Sequence, residues 1–314
     1  MVFKAFSDLT MYELCTPVVY GSEKDAIALR NALGLQINVN KVKQAEDIQD
    51  GKLNLVDCVP ENAQERAAAD CQSGMVDALV LIEAKTSAAQ QRVMANEHIR
   101  IALPSEPWTT ESLTEKAKQF RDILRRDFML STPRIALMAA NARQGDGSWG
   151  REEEEIVKPA VAALMEENIP VFGPYDSKAF AEHRIYEQFD GIVAFTKEQA
   201  LELLNATEDA HAALIMSGLP YVATMIRPNS KSCPKPAGEE NVEGQTLRNA
   251  IYLALDVLRR RVNYDRPYRN PLQKLYHEKK DESEKVRFAI PKAKSEKKDN
   301  QKEENSKEEA KPAE

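Results

Sequence analysis

The chain has 314 residues, 30% of them charged, with a formal net charge of −7. That length buries a sizeable core in one large or two medium domains, and the acidic balance excludes nucleic acid or an anionic membrane surface as the main partner, because both require clustered positive charge. No run of about 18 apolar residues occurs, so no membrane-spanning helix is expected. The first residues, Met-Val-Phe-Lys-Ala-Phe-Ser-Asp, lack the zones of a secretory signal, and a cytoplasmic location is expected.

The four cysteines, Cys15, Cys58, Cys71 and Cys233, form no C-x-x-C pair, so reduced thiols are expected in place of a disulfide framework. The four histidines, His98, His183, His211 and His277, show no metal-ligand spacing.

In chain order, Leu14–Tyr20 is a short apolar run ended by Gly21-Ser22, and Ser22 caps a helix through Asn31 with Asp25 in its first turn. Leu35–Val39 and Leu53–Cys58 read as strands. Glu61–Ser73 reads as an alanine-rich helix stopped by Gly74, and Val76–Ile82 as a central parallel strand covered on both faces. This alternation predicts an α/β fold with a largely parallel sheet. Ala88–Asn96 leads almost directly into a strand that starts at His98 and ends at Leu103, and Pro104 and Pro107 break the pattern. A helix follows over about Thr110–Phe128, its apolar stripe being Leu113, Ala117, Phe120, Leu124 and Phe128.

Arg134–Ala140 then reads as a buried strand. It enters a turn with Gly145, Gly147 and Gly150, and a helix opens at Arg151 and runs to Glu167. An α/β protein places a ligand on such a loop, which faces the free N–H groups of a helix start. The acidic run Glu152–Glu155 suits the helix dipole as a solvated start, and Pro159 is expected to kink the helix or delay its beginning. Strands near Pro170–Phe172 and Gly191–Phe195 follow, the latter entering a helix at about Lys197. Ala212–Met216 and Tyr221–Met225 flank a Gly218-Leu-Pro turn. Residues 227–244 read as a loop, and Thr246–Arg261 as an amphipathic helix. Residues 280–314 are a Lys/Glu-rich polyampholyte, expected to be a disordered tail, with Val286–Ile290 as its one short apolar fragment.

Several of these pieces, in this order, resemble the 4-hydroxythreonine-4-phosphate dehydrogenase (PdxA) family: Glu13-Leu-Cys-Thr-Pro-Val-Val-Tyr-Gly-Ser22, the Pro-Arg-Ile-Ala-Leu strand with its Asn141…Gly145 loop, and Gly150-Arg-Glu-Glu. So do Gly173-Pro174, Phe189-Asp-Gly-Ile-Val-Ala194, Gly218-Leu-Pro220 and Asn270-Pro-Leu-Gln-Lys-Leu-Tyr276. The resemblance runs from residue 1 to about 279. It implies a fold similar to isocitrate and isopropylmalate dehydrogenases, with two α/β/α domains around a cleft, working as a homodimer. The implied domains are 1–108 plus about 263–279, whose first strand and G-D-x-x-G-x-G turn would precede Met1, and 109–262, which carries the Asn141–Gly150 loop. The family oxidises 4-phosphohydroxythreonine with NAD, and decarboxylation follows, in pyridoxal phosphate synthesis. A divalent metal held by three histidines, one from the partner subunit, polarises the substrate.

Carried over residue by residue, the metal positions differ here. The family's N-P-H-A-G loop is Asn141-Ala-Arg143-Gln-Gly145, its Y-H-D-Q-G is Thr196-Lys197-Glu198-Gln199-Ala200, and its D-H-G-T-A falls on Arg227-Pro228-Asn-Ser-Lys231. A guanidinium has no lone pair to give, and an ammonium must first lose a proton, so no metal is expected. The phosphate-binding G-P-I-N-K segment reads Ile82-Glu-Ala-Lys85-Thr86, which keeps the lysine. Asp146 and Glu198 are acid or base candidates with no partner positioned beside them, and Trp149 is expected to pack on the loop.

Two functions stay open at this point. One is an NAD-dependent dehydrogenase of the family type acting on a phosphorylated hydroxy acid. The other is a catalytically inactive member that serves as a metal-free binder of a small anionic metabolite or as a dimerisation partner. The candidate anion-binding residues are Lys85, Asn141, Arg143, Gly145, Lys197 and Lys231, because cations have replaced ligands at the family's metal positions.

Overall fold

The computed structural model describes residues 1–82, 92–96, 98–103, 108–141, 143, 145, 147–207, 213–226 and 242–269, all within one compact unit, Met1–Arg269. The readings that concern Lys85, Asp146, Pro228, Lys231, Val286–Ile290 and the tail lie outside the described residues.

The architecture is α/β, as expected, and built on two sheets. In the smaller one, β1 (Val18–Gly21), β3 (Leu53–Asp57) and β2 (Val39–Val42) lie side by side in that order, all parallel. The larger has eight strands in the order β4-β11-β10-β5-β6-β9-β7-β8. These are β4 (Ala78–Leu81), β5 (Arg92–Ala95), β6 (Arg100–Leu103), β7 (Ile135–Met138), β8 (Val171–Tyr175), β9 (Gly191–Val193), β10 (Ala213–Met216) and β11 (Val222–Ile226). The larger sheet takes strands from both sides of residue 108.

The expectation of a largely parallel sheet needs correction at the centre. Each neighbouring pair along β11, β10, β5 and β6 is antiparallel, while β4 is parallel to β11, and β6, β9, β7 and β8 are parallel to one another. The cause lies in two tight connections, since antiparallel neighbours need only a short turn. Between β5 and β6, Asn96 accepts through Oδ1 from the N–H groups of His98 (2.9 Å) and Ile99 (2.8 Å). Between β10 and β11, Gly218 takes a left-handed φ of +83°. The segment read as leading directly into a strand at His98 therefore contains a strand of its own, β5. The strand expected at Leu35–Val39 is also displaced, to β2, because the chain is still closing the preceding helix when Leu35 N–H bonds to Arg30 O (3.3 Å).

The helices form where capping and amphipathic spacing place them. Ser22 accepts from Asp25 N–H at the start of α3 (Glu23–Ala32), after the short α1 (Val2–Ala5) and α2 (Met11–Leu14). α4 (Pro60–Gln72) opens on a proline at its first position. α5 (Thr110–Asp127) has a reciprocal capping box between Thr109 and Ser112, and its expected stripe is buried throughout, Phe128 included.

The helix that opens at Arg151 contains a π-helical turn over Glu153–Val157, continues as α6 (Lys158–Glu166), and places Pro159 just after that turn. The wider turn reroutes the hydrogen-bond ladder where proline supplies no N–H, so the expected disturbance at Pro159 takes this form. α7 (Ser177–Glu182) and α8 (Lys197–Ala206) follow, capped by Asp176 and Thr196. The last helix, α9 (Val242–Arg269), extends the expected Thr246–Arg261 in both directions and takes its first residues from the stretch read as loop. Arg248 on α9 donates to the carbonyls of Ala5 (3.0 Å) and Lys4 (3.1 Å), which fastens α1 to α9.

Candidate functional site

Strands β6, β9, β7 and β8 are parallel neighbours, so their carboxyl ends share one edge of the sheet, where α/β folds place ligands. β7 is buried at every position, and the loop Asn141–Gly150 leaves its carboxyl end. On one side Ala139 N–H donates to Tyr175 O (2.7 Å). On the other, Gln199 of α8 donates through Nε2 to Ala139 O (2.8 Å) and accepts Phe195 N–H through Oε1 (3.0 Å). One amide side chain thus joins the Asn141 loop to the turn that carries Lys197. Close packing at β8 requires a glycine, since a Cβ on Gly173 would stand 2.5 Å from Leu137 O.

The base of the loop is organised by a buried carboxylate. Glu153 is wholly buried, which corrects the reading of Glu152–Glu155 as a solvated start. Its Oε1 accepts Asn141 N–H (2.7 Å), while Glu152 accepts from the Asn141 side-chain amide (2.6 Å). Its Oε2 has no hydrogen-bond partner and lies where a Cβ on Gly150 would come within 2.8 Å. Glu154 and Glu155 do face outward, pairing with Lys158 and Arg151 one turn away. A chain-order reading had no signal for Glu153 or Gln199, because nothing in an acidic run or a T-K-E-Q-A turn marks the member that points inward.

Arg143 is exposed. Its guanidinium lies 4.3 Å from the centre of the Trp149 ring and donates to Gly147 O (3.3 Å). The stacking fixes the orientation of the fork while leaving the side chain at the surface. Lys197 is exposed at the first position of α8, and Glu198 beside it is exposed too. Asn141 is committed to the two glutamates, and Gly145 is exposed on the loop. Of the expected binding residues, the structure brings together Asn141, Arg143, Gly145 and Lys197 at one sheet edge, while Lys85 and Lys231 lie outside the described residues.

The two side chains that stand at the family's metal positions among the described residues do not fit as ligands of a divalent cation. Arg143 and Lys197 offer N–H groups and no lone pair, and among the described residues no group of three His, Cys, Asp or Glu side chains converges. His98 sits exposed at the β5–β6 turn and His183 exposed at the end of α7. For a nicotinamide, the aromatic face offered by the loop is Trp149, and one side of it is already covered by Arg143. Among the described residues no helix is long and apolar enough to cross a membrane.

Among the described residues, the three thiols are not poised as nucleophiles. Burial raises Cys15 and Cys58, and Cys71 is pushed up to about 11 by burial, then by the charges of Asp70 and Asp77.

Comparison with known proteins fits this geometry. Residues 89–254 match the family model described as "Pyridoxal phosphate biosynthetic protein PdxA". The chain is 30% identical to the 4-hydroxythreonine-4-phosphate dehydrogenase of Bacteroides thetaiotaomicron, over 92% of this chain and 93% of that one. Solved 4-hydroxythreonine-4-phosphate dehydrogenases share the fold. The one from Burkholderia phymatum superposes with a TM-score of 0.61 at 17% identity, covering 82% of this chain and 93% of that one. The one from Klebsiella pneumoniae gives 0.58 at 19%, covering 77% and 90%. The sequence match spans nearly the whole chain and the architecture agrees with it: the chain belongs to the PdxA family.

Proposed function

We propose that this chain is a metal-free member of the PdxA family that binds a small phosphorylated or carboxylated metabolite and does not carry out the family's metal-dependent oxidation. The observation that carries this reading is Arg143, a guanidinium braced against Trp149 and exposed on the ligand loop. The resemblance puts a metal-binding histidine at that position. A braced guanidinium makes bidentate hydrogen bonds to phosphate or carboxylate with little ordering cost. Lys197 adds positive charge at the start of α8, where the helix dipole also favours an anion. The helix that opens at Arg151 does not contribute, because Glu152 and Glu153 surround Asn141 with negative charge. Binding is therefore assigned to the Arg143 fork and to Lys197. Following the resemblance, the working unit is a homodimer.

A second reading is favoured by the 30% identity across nearly the whole chain with the Bacteroides dehydrogenase. It is NAD-dependent oxidation of a phosphorylated hydroxy acid, with NAD as hydride acceptor. One experiment separates the two. The full-length protein is titrated with inorganic phosphate and with 4-phosphohydroxythreonine in a thermal-shift assay, and NADH formation is followed with and without added zinc or magnesium. Binding without turnover is expected. A hundredfold excess of ligand over its dissociation constant is expected to stabilise by about 2.7 kcal/mol, a rise of several degrees that Arg143→Ala removes. Metal-dependent NADH formation overturns the first reading, and a thermal shift that Arg143→Ala leaves intact removes Arg143 from the site.

A further inference from the structure

Helix α8 opens on Thr196-Lys197-Glu198-Gln199, a pattern in which the glutamine side chain normally turns back to the N–H of the capping residue. Half of that arrangement is present, since Thr196 Oγ1 accepts from Gln199 N–H (3.2 Å). The other half is diverted. Gln199 Oε1 accepts from Phe195 N–H (3.0 Å), one residue before the cap, and its Nε2 donates to Ala139 O (2.8 Å), 60 residues earlier in the chain. At α5 the box between Thr109 and Ser112 closes on itself. Helix α8 thus gives up half of its own cap to hold another segment.

That segment is the root of the Arg143 loop. β7 and β9 pair from Ile135 and Gly191 to Leu137 and Val193. Two residues further along both chains, at Ala139 and Phe195, the Gln199 amide stands between them and bonds to each. A side-chain amide carries the donor and the acceptor of a peptide group, so it bridges the two chains beyond their last paired residues. Both flanks are fixed in turn. Ala139 N–H donates to Tyr175 O of β8 (2.7 Å), and Asn141 N–H is held by Glu153 (2.7 Å). Phe195 is buried, its ring 4.3 Å from that of Trp108. Arg143 follows Ala139 by four residues and Lys197 follows Phe195 by two.

We infer that Gln199 is a positioning residue that makes Arg143 and Lys197 one binding unit, so that a single anionic group is held by both. This rests on the anion-binding reading given above. Two cations on independently moving segments each meet the ordering cost of their own segment when the anion binds. Tied through one amide, the segments are ordered together, and contact with one cation raises the effective concentration of the other. The contributions of Arg143 and Lys197 to affinity are therefore coupled, and the coupling passes through Gln199.

The test is a double-mutant cycle on the full-length protein, with inorganic phosphate as the probe and isothermal titration calorimetry as the readout. With Gln199 in place, Arg143→Ala is expected to weaken phosphate binding about threefold more when Lys197 is present than in the Lys197→Ala background. In the Gln199→Met background the two losses are expected to multiply independently, within about twofold. A purely structural role for Gln199 lowers the melting temperature and leaves that coupling intact. Gln199→Glu keeps the acceptor for Phe195 N–H and loses the donor to Ala139 O, and it carries the same cycle if Gln199→Met does not fold. Failure of the unaltered protein to bind phosphate removes the anion-binding reading and this inference with it. Phosphate binding with independent losses in the unaltered protein, or coupling that survives substitution of Gln199, overturns the inference alone.

Discussion

Glu153 holds the Asn141–Gly150 loop through a single oxygen. Its Oε1 satisfies the Asn141 N–H, and its Oε2 is accommodated because Gly150 has no side chain to fill that space. Glu153→Ala removes the acceptor of a part-buried N–H and empties a wholly buried side-chain site, which costs that hydrogen bond together with the packing lost. A loss of about 2–4 kcal/mol in urea unfolding is expected, with a change in Trp149 fluorescence as the loop loosens. Glu153→Gln keeps an acceptor at Oε1 and places an amide where the carboxylate oxygen lacks a partner, so about 1 kcal/mol or less is expected. Equal losses for the two variants would show that the Asn141 contact is not what holds the loop. The sequence could not single out this residue, because four consecutive glutamates at a helix start look alike until the π-helical turn decides which one faces inward.

At the scale of elements, α5 and α9 are joined by a buried ion pair. Asp127 is 1% exposed and Arg261 is 8% exposed; two hydrogen bonds of 2.7 and 2.8 Å link them, and Arg261 also donates to Tyr221 O (3.1 Å). Three elements therefore meet at one guanidinium: α5, α9 and the turn before β11. Asp127→Ala leaves that charge buried without its carboxylate, and a loss of about 3–5 kcal/mol is expected. The double variant Asp127→Leu, Arg261→Met replaces both charges by apolar groups and is expected to recover most of it in the same urea titration. A double variant no more stable than Asp127→Ala would mean that the pair's geometry, and not its desolvation, dominates. The helices were legible in the sequence, since the α5 stripe repeats at helical spacing and Ser22, Thr110 and Lys197 each fall at a helix start. The strands were less so. β5 is four residues long and shows no alternation to separate it from the chain around it, and the antiparallel centre depends on pairings between distant segments that local pattern does not encode. At the candidate site, Arg143 and Lys197 were found by position within the resemblance, whereas Gln199 and Glu153 act through contacts with residues far along the chain.

For the molecule as a whole, proton retention points to the pH range in which the fold weakens. Tyr12, Cys15, Tyr20, Cys58, Cys71 and Tyr221 are all held above their ordinary values, with burial the first cause in each case. Tyr20 is raised further by its hydrogen bond to Asp70. Because the folded chain keeps these protons after the unfolded chain has released them, the native state binds more protons between about pH 9, the ordinary thiol value, and about 11, where Cys71 titrates when folded. The stabilisation is thus complete below about pH 9 and is lost as the pH rises through that window. Cys71 contributes on the order of 1–2 kcal/mol of the loss. The urea midpoint is expected to stay level from about pH 7 to about 8.5 and to fall by about pH 10.5, and Cys71→Ala should flatten part of the decline. Asp265 is held low by its hydrogen bond to Arg126, and that stabilisation is present above the ordinary carboxylate value and lost as the pH falls through the depressed one. A midpoint that remains level to about pH 10.5 would mean that these groups reach water in the folded state. The region around β1 and α4, where Tyr20 and Cys71 lie, would then be open to solvent.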